Sequence, residues 1–248
     1  MKLSRLKAPK FSNTSVVIRA AENKEEIEAA NRLVFANYVD KGYWDSGQDA
    51  LQQNKYLHSP RRTAFVALDA GSVIGTASII FDSNCGLPAD HFRPELMRRL
   101  RSAGDRIAEV SALAVDRAYA QQRDVVLFLF KFVYQYSFYY AGVDRFVVVC
   151  TPRHAVFYET FCRFQKIAPT GRYDYVGVEA QLLTVHLVNM HKRFVDADET
   201  ALTDPNSFYR FLLVDDHPSL RFPEKKPQRL REINWAKQAE LMDLPIAV

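Results

Sequence analysis

The segment Glu-Val-Ser-Ala-Leu-Ala-Val-Asp, which starts at Glu109, contains the residue best suited to acid–base chemistry. Its alternation predicts a β-strand with Glu109, Ser111 and Leu113 on one face and small apolar residues on the other. A carboxylate among apolar strand residues costs free energy unless it is paired or used, so Glu109 is a candidate general base with a raised pKa. The alternative is a strand-end carboxylate that is solvated or paired with an arginine.

The elements around Glu109 are predicted from local patterns. Asn23 suits the N-cap of a helix that ends near Lys41, and Asp69-Ala70-Gly71 is typical of a hairpin turn. The predicted strands are residues 16–19, 63–68, 73–81, 107–115, 145–150 and 176–188, and the predicted helices are residues 23–41, 94–102, 124–141 and 154–164. This order predicts an α/β fold, a mixed sheet with helices packed on it.

Charge and cysteine content exclude several classes of protein. The chain has 248 residues and a net charge of +4, and the first ten residues contain four basic side chains and no acid. The rest is balanced, so a nucleic-acid-coating protein is not indicated. The three cysteines contain no Cys-x-x-Cys pair, which disfavours a disulfide framework, predicts no metal site and fits a reducing, cytoplasmic location. No secretory signal or membrane span is expected, because Lys131 and Gln135 interrupt the apolar stretch 125–143.

Three segments organise the chain. Residues 1–15 are expected to form a basic, flexible tail, and residues 16–190 are expected to form the main domain. Residues 191–248 are expected to be a C-terminal appendage packed on the core, because Pro218, Pro223 and Pro227 separate the segments 208–214 and 230–242. The oligomeric state is not indicated.

The order of motifs over residues 16–188 resembles the GNAT acyltransferase superfamily. The motifs are the Val-Ile-Arg strand, the Asp-Ala-Gly hairpin, the Glu-Val-Ser-x-Leu-Ala-Val strand, the long helix, the Val-Val-Val strand and the Pro-Arg-His-Ala-x-Phe-Tyr helix. Within the superfamily, the chain is most similar to the N-acyl amino acid synthases, whose fold resembles that of the acyl-homoserine lactone synthases. The resemblance implies a mostly antiparallel sheet flanked by helices.

The loop before the long helix departs from the acetyl-CoA-using enzymes. Those enzymes resemble one another in a glycine-rich turn that holds the CoA pyrophosphate, whereas residues 117–124 contain no glycine. Asp124 also places a negative charge at the helix start. A phosphopantetheine thioester on acyl carrier protein has one phosphodiester and no nucleotide, so the N-acyl amino acid synthase resemblance implies this donor, with acyl-CoA disfavoured and no tightly bound cofactor.

The resemblance also implies catalytic roles. Glu109 would take a proton from the attacking amine or position it, and the backbone near Ala112 would stabilise the oxyanion. Tyr158 would protonate the leaving thiolate; the alternative is a core aromatic residue. The implied substrate-binding residues on the strand are Ser111, Ala112, Leu113 and Ala114. The homoserine lactone synthases have arginine where this chain has Ala112, which disfavours that substrate.

Substrate determinants are expected on the first helix, which resembles the N-terminal cap of both synthase families. Arg32 would bind the amino acid carboxylate, with Phe35, Tyr38 and Trp44 beside it; the alternative for Arg32 is a surface charge. Asn31 is expected to face elsewhere. His154 would lie near the acceptor, or be structural.

Two further features carry hypotheses about the donor. Part of the aromatic long helix, with Phe128 and Phe132, would line a tunnel for a long acyl chain; the alternative is a wide buried interface. A basic helix would dock an acidic carrier protein, and its alternative is a solvated face. The docking arginines are Arg93, Arg98, Arg99 and Arg101.

The sequence thus predicts an N-acyl amino acid synthase that transfers a long acyl chain from acyl carrier protein to the α-amine of an amino acid. Two alternatives remain. One is a GNAT enzyme that acetylates a small amine from acetyl-CoA. The other is a non-catalytic module that binds an acyl chain or lipid.

Overall fold

A computed structural model of the chain describes residues 8–9, 15–44, 56–119, 123–190, 204, 206–213 and 215–224. The strands are β1 (Val17–Ala20), β2 (Arg62–Asp69), β3 (Ser72–Phe81), β4 (Ile107–Val115), β5 (Arg145–Cys150), β6 (Gln165–Lys166), β7 (Gly171–Tyr173), β8 (Val178–His186) and β9 (Leu220–Arg221). The helices are α1 (Lys24–Asp40), α2 (Pro94–Arg101), α3 (Arg123–Gln135), α4 (Pro152–Phe161) and α5 (Phe208–Leu213). The predicted tail lies almost wholly outside the described residues, as does the predicted segment 230–242.

Local sequence signals explain the first helix and the first hairpin. The Asn23 side chain accepts a hydrogen bond of 2.9 Å from the Glu26 backbone N–H, which caps α1 as predicted. At the hairpin, Ala70 and Gly71 both have positive φ, at 47° and 83°. Two successive residues with positive φ define the tight turn that matches the twist of β2 and β3.

The strands form one mixed, mostly antiparallel sheet, which confirms the predicted fold class. Its order is β6-β8-β5-β4-β3-β2-β1-β9, and β7 also pairs with β8. Two neighbouring pairs are parallel, β4 with β5 and β1 with β9. The short strands β6, β7 and β9 were not predicted, because two or three residues carry too little periodicity to be recognised.

Helices cover both faces of the sheet. On one face, Ala30 and Val34 of α1 pack against alternate residues of β2 and β4, and Met97 of α2 packs beside Ile107. On the other face, α3, α4 and α5 share one large core with residues such as Ala108 and Val110 of β4. Since side chains alternate along a strand, Glu109 and Ser111 lie on the α1 face, opposite α3.

Two predicted elements end earlier than expected. The helix predicted for residues 124–141 is α-helical to Gln135 and continues as one π-helical stretch, Tyr136–Tyr140. The last strand ends at His186, and residues 187–190 are helical. Neither Gln135 nor His186 is followed by glycine or proline within three residues, so the sequence carries no stop signal at these ends.

The segment after residue 204 contacts α3. Phe211 of α5 packs edge to face on Phe128, with ring centroids 4.8 Å apart, and the buried Lys131 ammonium donates to the backbone carbonyls of Phe211 and Asp215. The domain boundaries remain predictions. No helix in the described part of the chain is long and apolar enough to cross a membrane.

Candidate active site

The sheet opens where β4 and β5 diverge. Their parallel ladder has three residue pairs and ends at Glu109 and Val147. Just beyond, β4 has one extra residue opposite β3, because Ser111 pairs with Ser78 and Ala114 pairs with Thr76. Ala112 lies in this bulge with a φ of 53°, a left-handed value that is rare for alanine. The bulge bends β4 away from β5 and leaves a cleft between the two strands.

The cleft is lined by aromatic, acidic and basic side chains. Its walls come from β2, β3, β4 and β5, from the end of α1, and from the segments around Tyr56 and Tyr173. Glu109, Ser111 and Ala112 all line it, as do Tyr38 and Trp44. Leu113 and Ala114 are outside the lining and pack instead into two separate apolar clusters.

Glu109 is the buried acid of the cleft. It is 3% exposed, and its Oε2 accepts a hydrogen bond of 2.8 Å from the Ala89 backbone N–H. Burial raises the pKa of Glu109 to about 8, the Ala89 bond opposes this rise, and the negative charge of Asp90 adds to it. A carboxyl group with a pKa near neutrality can exchange a proton with an amine.

A short turn of 3₁₀ helix, Pro88–His91, supplies the Ala89 donor. Asp90 in this turn accepts a hydrogen bond of 2.7 Å from the Leu87 backbone N–H. Arg101 of α2 binds Asp90 through two nitrogens, each at 2.7 Å, and binds Asp82 at 2.7 and 2.9 Å. These bonds raise the pKa of Arg101 and fix the turn on α2. The predicted docking of a carrier protein by Arg101 is not supported, because its N–H groups bind Asp82 and Asp90 within the protein.

Aromatic residues that the sequence analysis missed surround Glu109. The Tyr56 hydroxyl lies 3.1 Å from His91 Nε2, and the Tyr175 ring stacks on His91 with centroids 5.5 Å apart. The Tyr173 hydroxyl donates to the Pro88 carbonyl at 3.1 Å. Burial raises the pKa of Tyr56 to about 12 and also raises that of Tyr173, so both hydroxyls stay protonated at neutral pH. Tyr56 and Tyr175 lie in turns and Tyr173 in a three-residue strand, where no periodic pattern marks them.

Arg62 is a second missed residue of the cleft. Its Nε donates to Ser78 Oγ at 2.9 Å, and its Nη1 donates to Asn31 Oδ1 and the Leu57 carbonyl, both at 2.8 Å. Its Nη2 is buried and has no hydrogen-bond partner among the described residues. Burial lowers the pKa of Arg62 to about 10. Asn31 faces a different direction from Arg32, as predicted, but it is 5% exposed and contacts a cleft residue, which the sequence did not indicate.

The other residues predicted to bind the acceptor, on α1 and just after it, point in different directions, and only Tyr38 and Trp44 line the cleft. Arg32 has a 65% exposed side chain, lies 3.8 Å from the Glu28 carboxylate and does not line the cleft. This position agrees with the alternative of a surface charge and does not support a substrate-binding role. Trp44 packs on Tyr38 with centroids 4.7 Å apart and on Phe35 at 6.0 Å. Phe35 thus contacts Trp44 of the cleft wall but does not itself line the cleft.

Tyr158 and His154 on α4 lie outside the cleft lining. Tyr158 is 5% exposed and packs against Phe130 and Phe164, and burial raises the pKa of its hydroxyl. His154 is exposed, and its Nδ1 lies 3.1 Å from the Thr151 hydroxyl at the start of α4. This contact fits the structural alternative for His154. The role of Tyr158 stays a prediction.

The two residues of α3 that were predicted to line an acyl tunnel are packed in the core. Phe128 is 1% exposed and Phe132 is fully buried, and they pack on Phe211 and Phe222 with centroids 4.8 and 4.5 Å apart. Both lie on the face of the sheet opposite Glu109. This packing supports the alternative of a wide buried interface, which explains the aromatic content of α3, and does not support a tunnel at these two residues.

The remaining docking arginines differ in accessibility. Arg93 lies over the Phe92 ring at 4.0 Å and donates to the Pro169 carbonyl at 3.2 Å. Arg98 is exposed and pairs with Glu95, and Arg99 is exposed.

Within the described ranges, no group of three or more histidine, cysteine, aspartate or glutamate side chains is placed to bind a metal ion.

The splayed sheet, the bulge in β4 and the buried acid together define a GNAT-type N-acyltransferase. The sequence model of the N-acyl amino acid synthase FeeM family matches residues 29–186. The chain therefore belongs to the N-acyl amino acid synthase FeeM family. The structure of FeeM, an N-acyl amino acid synthase from uncultured soil microbes, has 25% identity and a TM-score of 0.64 over 73% of this chain and 96% of that chain.

Other matches are weaker. Spermidine N-acetyltransferase from Vibrio cholerae in complex with CoA and spermine has 17% identity and a TM-score of 0.48, over 72% of this chain and 99% of that one. An acetyltransferase from Streptococcus agalactiae has 14% identity and a TM-score of 0.48, over 70% and 99%. A stretch of 54 residues is 43% identical to chloroplastic pyruvate kinase isozyme G from Nicotiana tabacum, but it spans 22% of this chain and only 10% of that protein.

Proposed function

We propose that this protein is an N-acyl amino acid synthase that transfers a long acyl chain from a carrier-protein thioester to the α-amine of an amino acid. Membership of the FeeM family supports the reaction class. The observation that carries the proposal is the position of Glu109, a buried carboxyl with a pKa of about 8 at the point where β4 and β5 diverge. A base whose pKa lies close to the working pH is best matched to removing a proton from an amine.

The proposed reaction is direct attack. The amine nitrogen forms a bond to the thioester carbonyl carbon, and Glu109 takes the proton that the nitrogen loses. Backbone N–H groups of the β4 bulge around Ala112 stabilise the oxyanion, since the bulge turns this backbone out of regular pairing. The carbon–sulfur bond then breaks, and the thiolate takes a proton, for which Tyr158 is the proposed donor.

The donor proposal rests on the loop before α3. Residues 117–124 contain no glycine, and Asp124 lies in the first turn of α3, where an anionic pyrophosphate would meet a negative charge. The single phosphodiester of phosphopantetheine makes a smaller demand on this loop. The exposed guanidinium groups of Arg98 and Arg99 are the remaining candidates for contact with an acidic carrier protein.

The proposal is tested by expressing the protein in a bacterial host and analysing the lipid extract by mass spectrometry. We expect N-acyl amino acids that disappear with Glu109→Gln. The control is Glu179→Gln, which changes an exposed carboxylate of β8 and should leave the products in place. Acetylated small amines instead of long-chain products would favour an acetyl-CoA-dependent enzyme. Ligand binding without any new product would favour a non-catalytic module.

A further inference from the structure

Arg62 and Glu109 lie on the same face of the sheet, two strands apart. Arg62 of β2 is directly opposite Ile80 of β3, and Ile80 is directly opposite Glu109 of β4. Residues directly opposite one another point to the same face, so the two charged groups flank Ile80 at a backbone separation of about 10 Å, two strand spacings. All three residues line the cleft. A ligand in the cleft therefore lies between a guanidinium and a carboxyl group.

The guanidinium of Arg62 is held in a fixed orientation. An arginine has five N–H donors, and three of them are used on Ser78, Asn31 and the Leu57 carbonyl. The two N–H donors of Nη2 are buried and have no partner among the described residues. Buried donors without a partner cost free energy unless a ligand satisfies them.

The charge of Arg62 is not balanced by a neighbour. In the described part of the chain, no carboxylate lies within ion-pair distance of its guanidinium, although most other buried or half-buried arginines here have one, such as Arg101 and Arg145. Glu109 does not fill this role, because an ion pair would lower the pKa of Glu109, and this pKa is raised. The cleft therefore has an excess of positive charge that an anionic ligand group would neutralise.

We propose that Arg62 binds the carboxylate of the acceptor through Nη2 and so restricts the enzyme to amines that carry a carboxylate on the neighbouring carbon. This inference deepens the proposed function and rests on it. An α-amino acid bound at Arg62 presents its amine toward Glu109 across Ile80. An amine without a carboxylate leaves the two Nη2 donors unsatisfied, and a polyamine adds positive charge next to a buried cation.

The test compares each amino acid with the amine that lacks only its carboxylate. Suitable pairs are leucine with 3-methylbutylamine, phenylalanine with 2-phenylethylamine, and tyrosine with tyramine, each assayed with a dodecanoyl thioester. For the acid that is used best, we expect wild-type kcat/KM to exceed that of the amine by roughly 100-fold, because the amine leaves the two charged Nη2 donors unsatisfied. Arg62→Gln should reduce this ratio at least tenfold, and Arg62→Lys should reduce it less.

The matched control is Arg61→Gln, which removes the neighbouring, exposed arginine and should keep the wild-type ratio. Circular dichroism and thermal unfolding show whether each variant is folded. Wild-type protein provides a second measurement that needs no variant: the methyl ester of the amino acid should be acylated far more slowly than the free acid.

Three outcomes separate the claims. Equal losses for acid and amine in Arg62→Gln would make Arg62 a purely structural residue and overturn the inference. Equal wild-type rates with the free acid and its methyl ester would overturn it as well. Acylation of no amine of any kind would remove the proposed function, and the inference with it.

Discussion

Two opposing effects act on the carboxyl group of Glu109. Burial among Tyr56, Tyr173 and Ile80 removes water and favours the neutral acid, whereas the Ala89 N–H favours the carboxylate. Burial has the larger effect, so the pKa rises to about 8 instead of falling. This balance gives the acid two accessible protonation states near neutral pH, which a structural carboxylate paired with arginine would not have.

The raised pKa predicts how stability depends on pH. Between pH 4.5 and pH 8 the folded protein keeps a proton on Glu109 that the unfolded chain has released, so the stabilisation from this group is complete below pH 4.5 and is lost as pH rises through 8. The loss is ~1.4 kcal/mol per pH unit in this window. Glu109→Gln lacks this titration, so its free energy of unfolding should increase relative to wild type from pH 5 to pH 8.

Urea unfolding at several pH values measures this difference. Glu179→Gln, an exposed control, should follow the wild-type curve. Parallel curves for wild type and Glu109→Gln would mean that the pKa of Glu109 is not raised in the folded protein, and the account of Glu109 as a base with a pKa near neutrality would fail.

Among the individual residues of the cleft, Glu109 could be predicted from the sequence, but Arg62 could not. Glu109 is recognisable because a lone carboxylate interrupts an apolar strand. Arg62 begins a strand, a position where an arginine is ordinarily solvated. Its burial results from contacts with Asn31, which is distant in the sequence, and with Leu57, which lies in an irregular segment. Arg32 was predicted to bind the amino acid carboxylate because arginine is the residue type best suited to it. On α1, however, Asn31 faces the sheet and Arg32 faces solvent.

Secondary-structure elements set the geometry of the base through the Pro88–His91 turn. The turn places the Ala89 N–H against Glu109. Arg101 of α2 binds Asp90 in the turn and Asp82 in the segment after β3. Arg101 does not line the cleft, so it acts as a positioning residue. Its four hydrogen bonds cross from α2 to the turn and to the segment after β3.

Arg101→Gln should lower kcat roughly tenfold, because a small displacement of a reacting group is costly. It should also increase the apparent pKa that the pH–rate profile assigns to Glu109. Losing the hydrogen bond from Ala89 and leaving the Asp90 charge unpaired both raise the pKa of Glu109. The comparison is Arg98→Gln, which removes an exposed arginine of the same helix. A lower rate with an unchanged pH limb would indicate a general loss of stability and not a positioning role.

Elements with local signals were predictable, and those without were not. The α1 cap follows from Asn23, and the hairpin follows from Asp69 and Gly71, whose residue types favour those conformations. The bulge at Ala112 has no such signal, because β4 contains no glycine that would mark a residue of positive φ. It forms where β4 must pair with β3 on one side and part from β5 on the other, which is a property of the whole sheet.

The whole molecule divides its functions between the two faces of the sheet. The α1 face carries the cleft, whereas the opposite face is a continuous aromatic core shared by α3, α4 and α5. Because Phe128 and Phe132 belong to that core, replacing them with tryptophan should overpack and destabilise the protein instead of selecting a shorter acyl chain.

The contact between α5 and α3 predicts the stability contribution of the C-terminal region. Phe211→Ala should lower the free energy of unfolding by about 3–5 kcal/mol, because Phe211 packs on Phe128 and is 4% exposed. Val156→Ala, at a 60% exposed position of α4, should change it by less than about 0.5 kcal/mol. Urea unfolding measures both, and a negligible effect of Phe211→Ala would show that α5 is not part of the cooperative core.

The central claim is that Glu109 activates the amine of an amino acid for attack on an acyl thioester. Its most direct test is a reaction of purified protein with a dodecanoyl thioester and an amino acid, in which amide and free thiol are both quantified. We expect one amide for each thiol released, and a rate at least ~100-fold lower for Glu109→Gln, as for the loss of a general base. Thiol release without amide, or amide formation at the wild-type rate in Glu109→Gln, would contradict the claim.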